Sequence, residues 1–187
     1  MPFDSFGSPQ FGLNDVKIAA WNSTNNYGAA VDVPSVQMMG SILQVVSAQL
    51  EGDDTITATA SRAIGGEVRL RFGSVSMAAL EVLLGNTSTA SGVASTQQDH
   101  LKVQGADNMP YFGICGKALA EEGIGDLHVF LPKCRITSNV ELASLQYGQF
   151  AIPEMTVQAV DDATYGVINL VEHETAVAVA IPPTNIS

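Results

Sequence analysis

Glu67-Val68-Arg69-Leu70-Arg71-Phe72-Gly73 alternates without a break: Val68, Leu70 and Phe72 fall on one side, Glu67, Arg69 and Arg71 on the other. Successive side chains of a strand project to opposite faces, so this period of two predicts a half-buried strand with a charged outer face. Just upstream, Ala63-Ile64-Gly65-Gly66 predicts a turn. Before it, Thr55 to Arg62 alternates Ile56, Ala58 and Ala60 with threonines, and Val36 to Leu50 is apolar with a weaker period of two. Glu51-Gly52-Asp53-Asp54 separates these two runs and is a strong turn signal, so together they predict a long β-hairpin.

Downstream the period changes. Val75, Ala78, Ala79, Val82 and Leu83 form an apolar stripe at helical spacing, with Ser74 placed to cap the start and Gly85 to close the end. Residues 86–97 read as a polar loop. Further strands are expected at 15–21 and at about 99–104, 111–119, 126–136, 145–160 and 165–180. Many strands and one helix predict a mainly β (α+β) fold, an antiparallel β-sandwich or barrel flanked by one α-helix. With no repeat and no break in composition, 1–187 reads as one domain, with 1–13 as an N-terminal arm and 176–187 as a C-terminal extension. Pro2, Gly7, Pro9 and Gly12 punctuate the arm, and Phe3, Phe6 and Phe11 give it apolar points that favour docking on a neighbour.

Charged residues make up 14% of the chain and only four are lysines, Lys17, Lys102, Lys117 and Lys133. Soluble domains usually carry about 25% charge, and Lys, Glu and Asp are depleted where protein meets protein. The deficit therefore points to self-assembly, the alternative being a monomer with a surface of Ser, Thr, Asn and Gln. The net charge is −11. Tight nucleic-acid binding needs a basic patch to neutralise phosphates, and the basic residues here are scattered apart from Arg69 and Arg71. The chain opens with no basic-then-apolar leader and has no apolar run of the roughly 20 residues a membrane helix needs, which predicts a soluble protein made in a cytoplasm.

Enzyme signatures are missing: there is no phosphate-binding glycine loop, no Gly-x-Ser-x-Gly and no His-Glu-x-x-His. The pairs Asp53-Asp54, Glu121-Glu122 and Asp161-Asp162 sit in expected turns, where solvated turn carboxylates are the favoured reading. His173 lies between Glu172 and Glu174, which a strand would send to the face opposite it, so an interface or core histidine is favoured over a metal ligand. A hairpin of 111–119 and 126–136 would set Cys115 nearly opposite Cys134. Zinc with His128 is then conceivable but lacks a fourth ligand, and two reduced, buried, small apolar residues is the favoured reading. The expectation is of no catalytic residue, no cofactor and no metal.

Several stretches resemble tail tube (major tail) proteins of tailed bacteriophages. They are Arg62-Ala63-Ile64-Gly65-Gly66-Glu67-Val68-Arg69-Leu70-Arg71-Phe72-Gly73-Ser74 running into Ala79-Leu80-Glu81-Val82-Leu83, Pro110-Tyr111-Phe112-Gly113-Ile114, Gly125-Asp126-Leu127-His128-Val129-Phe130-Leu131-Pro132-Lys133-Cys134, Tyr165-Gly166-Val167-Ile168-Asn169, and Phe11-Gly12-Leu13-Asn14-Asp15-Val16. The resemblance spans roughly residues 11–175. It implies a sandwich-like barrel with a flanking helix, closing into hexameric rings that stack as a hollow tube. It implies as partners other copies of the chain, a tape-measure protein in the lumen, double-stranded DNA in non-specific passage, and sheath, terminator and baseplate proteins. The location implied is the virion tail, assembled in the cytoplasm of a bacterial host. On this reading an acidic lumen lets DNA pass without sticking. Glu51, Asp53 and Asp54 are expected to face the lumen or the next ring, and Phe3, Phe6 and Phe11 to dock on a neighbour. Rival readings are a tail terminator or type VI secretion-like tube subunit, a capsid-decorating or carbohydrate-binding β-sandwich, and a hydrolase with an unrecognised site.

Overall fold

The computed structural model describes residues 10–52, 55–74, 76–120, 125–142, 147–148 and 152–183. Its strands in chain order are β1 (Gln10–Ser23), β2 (Asn26–Tyr27), β3 (Val31–Asp32), β4 (Val36–Gly52), β5 (Thr55–Phe72), β6 (Thr89–Ser91), β7 (Gln98–His100), β8 (Phe112–Ala120), β9 (Asp126–Ile136), β10 (Glu154–Ala159) and β11 (Asn169–His173). One helix, α1 (Met77–Leu84), stands between β5 and β6. The fold is mainly β, antiparallel and flanked by this single helix, as the alternation of 67–73 predicts.

The large sheet runs β2-β1-β8-β9-β10-β5-β4, with β3 beside β1 and β11 beside β9. A separate two-stranded ribbon joins β6 to β7. One face of the large sheet gathers the main core: Val16 and Ile18 of β1, Phe112 and Ile114 of β8, Leu131 of β9, Met155 and Val157 of β10, and Val68 and Leu70 of β5. The helix closes this core with Ala79, Leu80, Leu83 and Leu84. The sheet curls enough for Met39 of β4 to pack onto Gly116 of β8.

Several sequence expectations need correction. The predicted turn at 63–66 is uninterrupted strand: β5 runs through it, with Ile64 bulged out between the pairs Gln44–Gly65 and Val45–Ala63. Gly66 serves close packing instead, since a Cβ there would press on Val167 and Ala159. The helix is capped by Ser76 rather than Ser74: the Ala79 N–H donates to Ser76 Oγ at 3.4 Å, and Gly85 closes the far end. The buried helical face is correspondingly 79, 80, 83 and 84. Residues 10–13 of the expected arm already belong to β1, where Gln10 pairs with Ala120 and Phe11 with Leu119. The strand expected over 165–180 is short. It ends at His173, after which the chain leaves the sheet and crosses the outer face of β8 and β9, burying Val179 against Cys115 and Phe130.

Cys115 and Cys134 are free and buried as expected, but they do not face each other. Cys115 pairs with Phe130 and Cys134 with Phe112. Between Leu131 and Cys134 β9 carries one residue more than β8 does between Phe112 and Ile114, a bulge that switches which side chains face inward. Leu131 and Cys134 therefore both enter the main core, while Cys115 belongs to the outer cluster under Val179. Burial pushes the Cys115 thiol up to about 12 and raises that of Cys134 further.

Candidate functional site

The most prominent surface feature is the outer half of the β4–β5 hairpin. β5 pairs with β10 over Gly66–Arg71 and with β4 along its whole length, so among the described residues its outer span Thr55–Gly65 has β4 alone as a sheet neighbour. Its inner end, Arg62–Gly65, lies beside Gln158, Asp161 and Val167, so at a strand rise of about 3.3 Å per residue Thr55–Ser61 projects about 20 Å. Threonine, alanine and β-branched residues make it strand-forming, and the ladder holds to Gly52–Thr55.

The hairpin exposes apolar side chains among Ser47, Gln49, Thr57, Thr59, Ser61 and Arg62. Ile42, Leu43, Val45 and Val46 are about half exposed, Ile64 is 60% exposed and Leu50 is 64% exposed. They occupy both faces: Leu43 and Val45 continue the side of the buried Val68 and Leu70, whereas Ile42, Val46 and Leu50 continue the side of Arg69 and Arg71. A two-stranded ribbon is at best marginally stable alone in water. It also leaves unpaired backbone groups on both edges, which natural proteins usually cover or blunt. Glu51 sits exposed near the tip, paired with Ile56, while Asp53 and Asp54 lie outside the described residues. Phe11 is exposed on β1, and Phe3 and Phe6 also lie outside the described residues.

A second concentration of chemistry lies on the outer face of β9, beneath the C-terminal segment. Asp126 and His128, two residues apart, share a face of β9, and β11 pairs antiparallel so that His173 is the direct partner of Asp126. Asp126 and His128 are each only 1% exposed. Asp126 Oδ2 accepts the Val177 N–H at 2.7 Å and lies 3.6 Å from Lys117 Nζ, which itself donates to the Val177 carbonyl at 2.8 Å. Asp126 Oδ1, His128 Nε2 and His173 Nε2 are buried without a hydrogen-bond partner among the described residues. His128 Nε2 is 3.4 Å from Asp126 Oδ2, close enough for an ion pair but not aligned as a hydrogen bond. Burial pushes the His128 imidazole below its usual range, a shift that the Asp126 carboxylate opposes and His173 reinforces. The two rings meet edge to face at 4.5 Å.

The sequence reading passed over this cluster. The Asp126-Leu127-His128 alternation marks two of its members, but the register that delivers His173 is carried by no local signal. Glu172 pairs with Leu127 rather than Asp126, so it lies on the other face from His173, as expected for consecutive strand residues. Of the acidic pairs expected to be solvated, Asp162 is buried and organises a turn: its Oδ1 accepts the N–H groups of Thr164 at 3.0 Å and Tyr165 at 3.3 Å. The lone tryptophan offers no open stacking platform. Trp21 meets Tyr111 edge to face, with Lys133 Nζ 4.3 Å from the Trp21 ring centre and the Arg135 guanidinium 4.0 Å from that of Tyr111. Among the described residues, no helix is long and apolar enough to cross a membrane.

No protein-family model matches the chain, and no curated protein matches it either.

Proposed function

We propose that this chain is a non-enzymatic structural subunit of a phage tail tube, forming hexameric rings that stack around an acidic lumen through which viral DNA passes during ejection. The observation that carries the reading is the projecting β4–β5 hairpin, which exposes apolar side chains on both faces and has no further strand at either edge among the described residues. Apolar area of this kind on a soluble chain marks an interaction surface. A second copy of the chain is the occupant that fits best. Ring formation brings the same hairpin from every subunit to one place, pairs edge with edge, and buries one apolar face against the neighbour.

The charge pattern supports the same reading. A net charge of −11 with scattered basic residues disfavours tight hold on phosphate and favours free passage of DNA. Within the proposal the tape-measure protein occupies the lumen before ejection, and sheath, terminator and baseplate proteins meet the outside and ends. The N-terminal arm with Phe3 and Phe6, and Phe11 exposed on β1, supply contacts between subunits. Native mass spectrometry of the full chain across a concentration series tests the reading. Hexamers and their multiples are expected, and a monomer at every concentration would overturn it.

A further inference from the structure

We propose that Asp126, His128 and His173 form a binding site for one divalent transition-metal ion, zinc in the first instance. Two imidazole nitrogens and one carboxylate oxygen are the donor set zinc takes where three protein ligands leave a fourth position to water. Their ligand atoms lie within 4.8 Å of one another. Tetrahedral zinc holds its ligand atoms about 3.4 Å apart, so modest side-chain rotation closes the set around an ion.

The orphaned atoms make the case. Buried polar atoms without a partner are rare and destabilising. Here Asp126 Oδ1, His128 Nε2 and His173 Nε2 share that condition in one small volume. A single cation bound by one Asp126 oxygen and the two imidazoles gives these residues the partners they lack. Val177 N–H and Lys117 fix the Asp126 carboxylate through Oδ2, the oxygen 3.4 Å from His128 Nε2, and Oδ1 has no partner among the described residues. Lys117 opposes a second positive charge nearby, but its ammonium is turned to Oδ2 and to the Val177 carbonyl. Because Val177 hangs on Asp126, an ion here would fasten the C-terminal segment across β8 and β9.

The test uses the full chain, stripped with a chelator and titrated with zinc chloride alone by calorimetry, then with cobalt(II) to read coordination from its visible absorption. One ion per chain and a tetrahedral cobalt spectrum are expected. The half-buried His173→Ala is expected to weaken binding by at least about tenfold, the scale on which metal sites respond even to loss of supporting partners. His100→Ala, which removes an exposed histidine of β7, is expected to bind as wild type. His128→Gln adds a second probe of the site, and His173→Ala keeps the test decisive if the buried substitution fails to fold. No saturable binding by the wild-type chain, or undiminished binding by His173→Ala, would overturn the proposal.

Discussion

Val46 and Arg62 are direct cross-strand partners on the β4–β5 ladder, beyond the last residue at which β5 pairs with β10. Val46 is 54% exposed on a ribbon that has no third strand among the described residues. Replacing Val46 and Leu50 together with lysine leaves the core untouched, and surface substitutions usually change stability by about 0.5 kcal/mol or less. Thermal unfolding of the double variant is therefore expected to match that of wild type dilute enough to be monomeric, while sedimentation at higher concentration shows self-association lost. Undiminished association of the double variant would exclude the hairpin as the assembly surface.

Phe112 faces the main core from β8 and is fully buried among side chains of the sheet. Truncating a buried phenylalanine removes its transfer free energy and leaves a cavity, together about 3–5 kcal/mol. Phe112→Ala is expected to lose that much in denaturant unfolding. A loss below about 1 kcal/mol would mean that the inner face of the sheet is not the principal core.

Cys115 and Cys134 sit on opposite sides of the sheet, both buried, with their thiols pushed well above the usual range by loss of solvent. The thiolate is the reactive form. Neither cysteine is expected to react with a disulfide-exchange reagent near pH 8 in the native protein, and both are expected to react once it is unfolded. Rapid reaction of one equivalent under native conditions would contradict the burial assigned to that residue.

These cysteines also show where the sequence stops being legible. Alternation at 67–73 announces a half-buried strand because each side chain carries its own sign of the face it takes. Cysteine positions on neighbouring strands carry no such sign: the register from Leu119–Asp126 onward brings Cys115 to Phe130, and the bulge between Leu131 and Cys134 turns Cys134 to the other face. The glycines at 65 and 66 look like a turn because glycine serves both tight turns and close strand packing, and only the neighbouring Ala159 and Val167 decide between them. For the histidine cluster, two members were readable from Asp126-Leu127-His128, while the third arrives through a ladder between segments distant in the chain.

Gly125 precedes β9 with φ +79°, and a Cβ there would collide with the backbone carbonyl of His173. Both the left-handed backbone and the contact oppose any larger residue, each at a cost on the order of 1–3 kcal/mol. Gly125→Ala is expected to lower the unfolding temperature and to loosen the end of β11, read as faster amide exchange at Val171 and His173. An unchanged exchange rate there would mean the approach of Gly125 to β11 is not what holds that end.

Electron microscopy of the purified full-length chain, at low and at high concentration beside the Val46, Leu50 double-lysine variant, tests the tube reading most directly. The account predicts hollow rings stacking into tubes for the wild-type chain and separate particles for the variant. Wild-type particles that stay single at every concentration would contradict it.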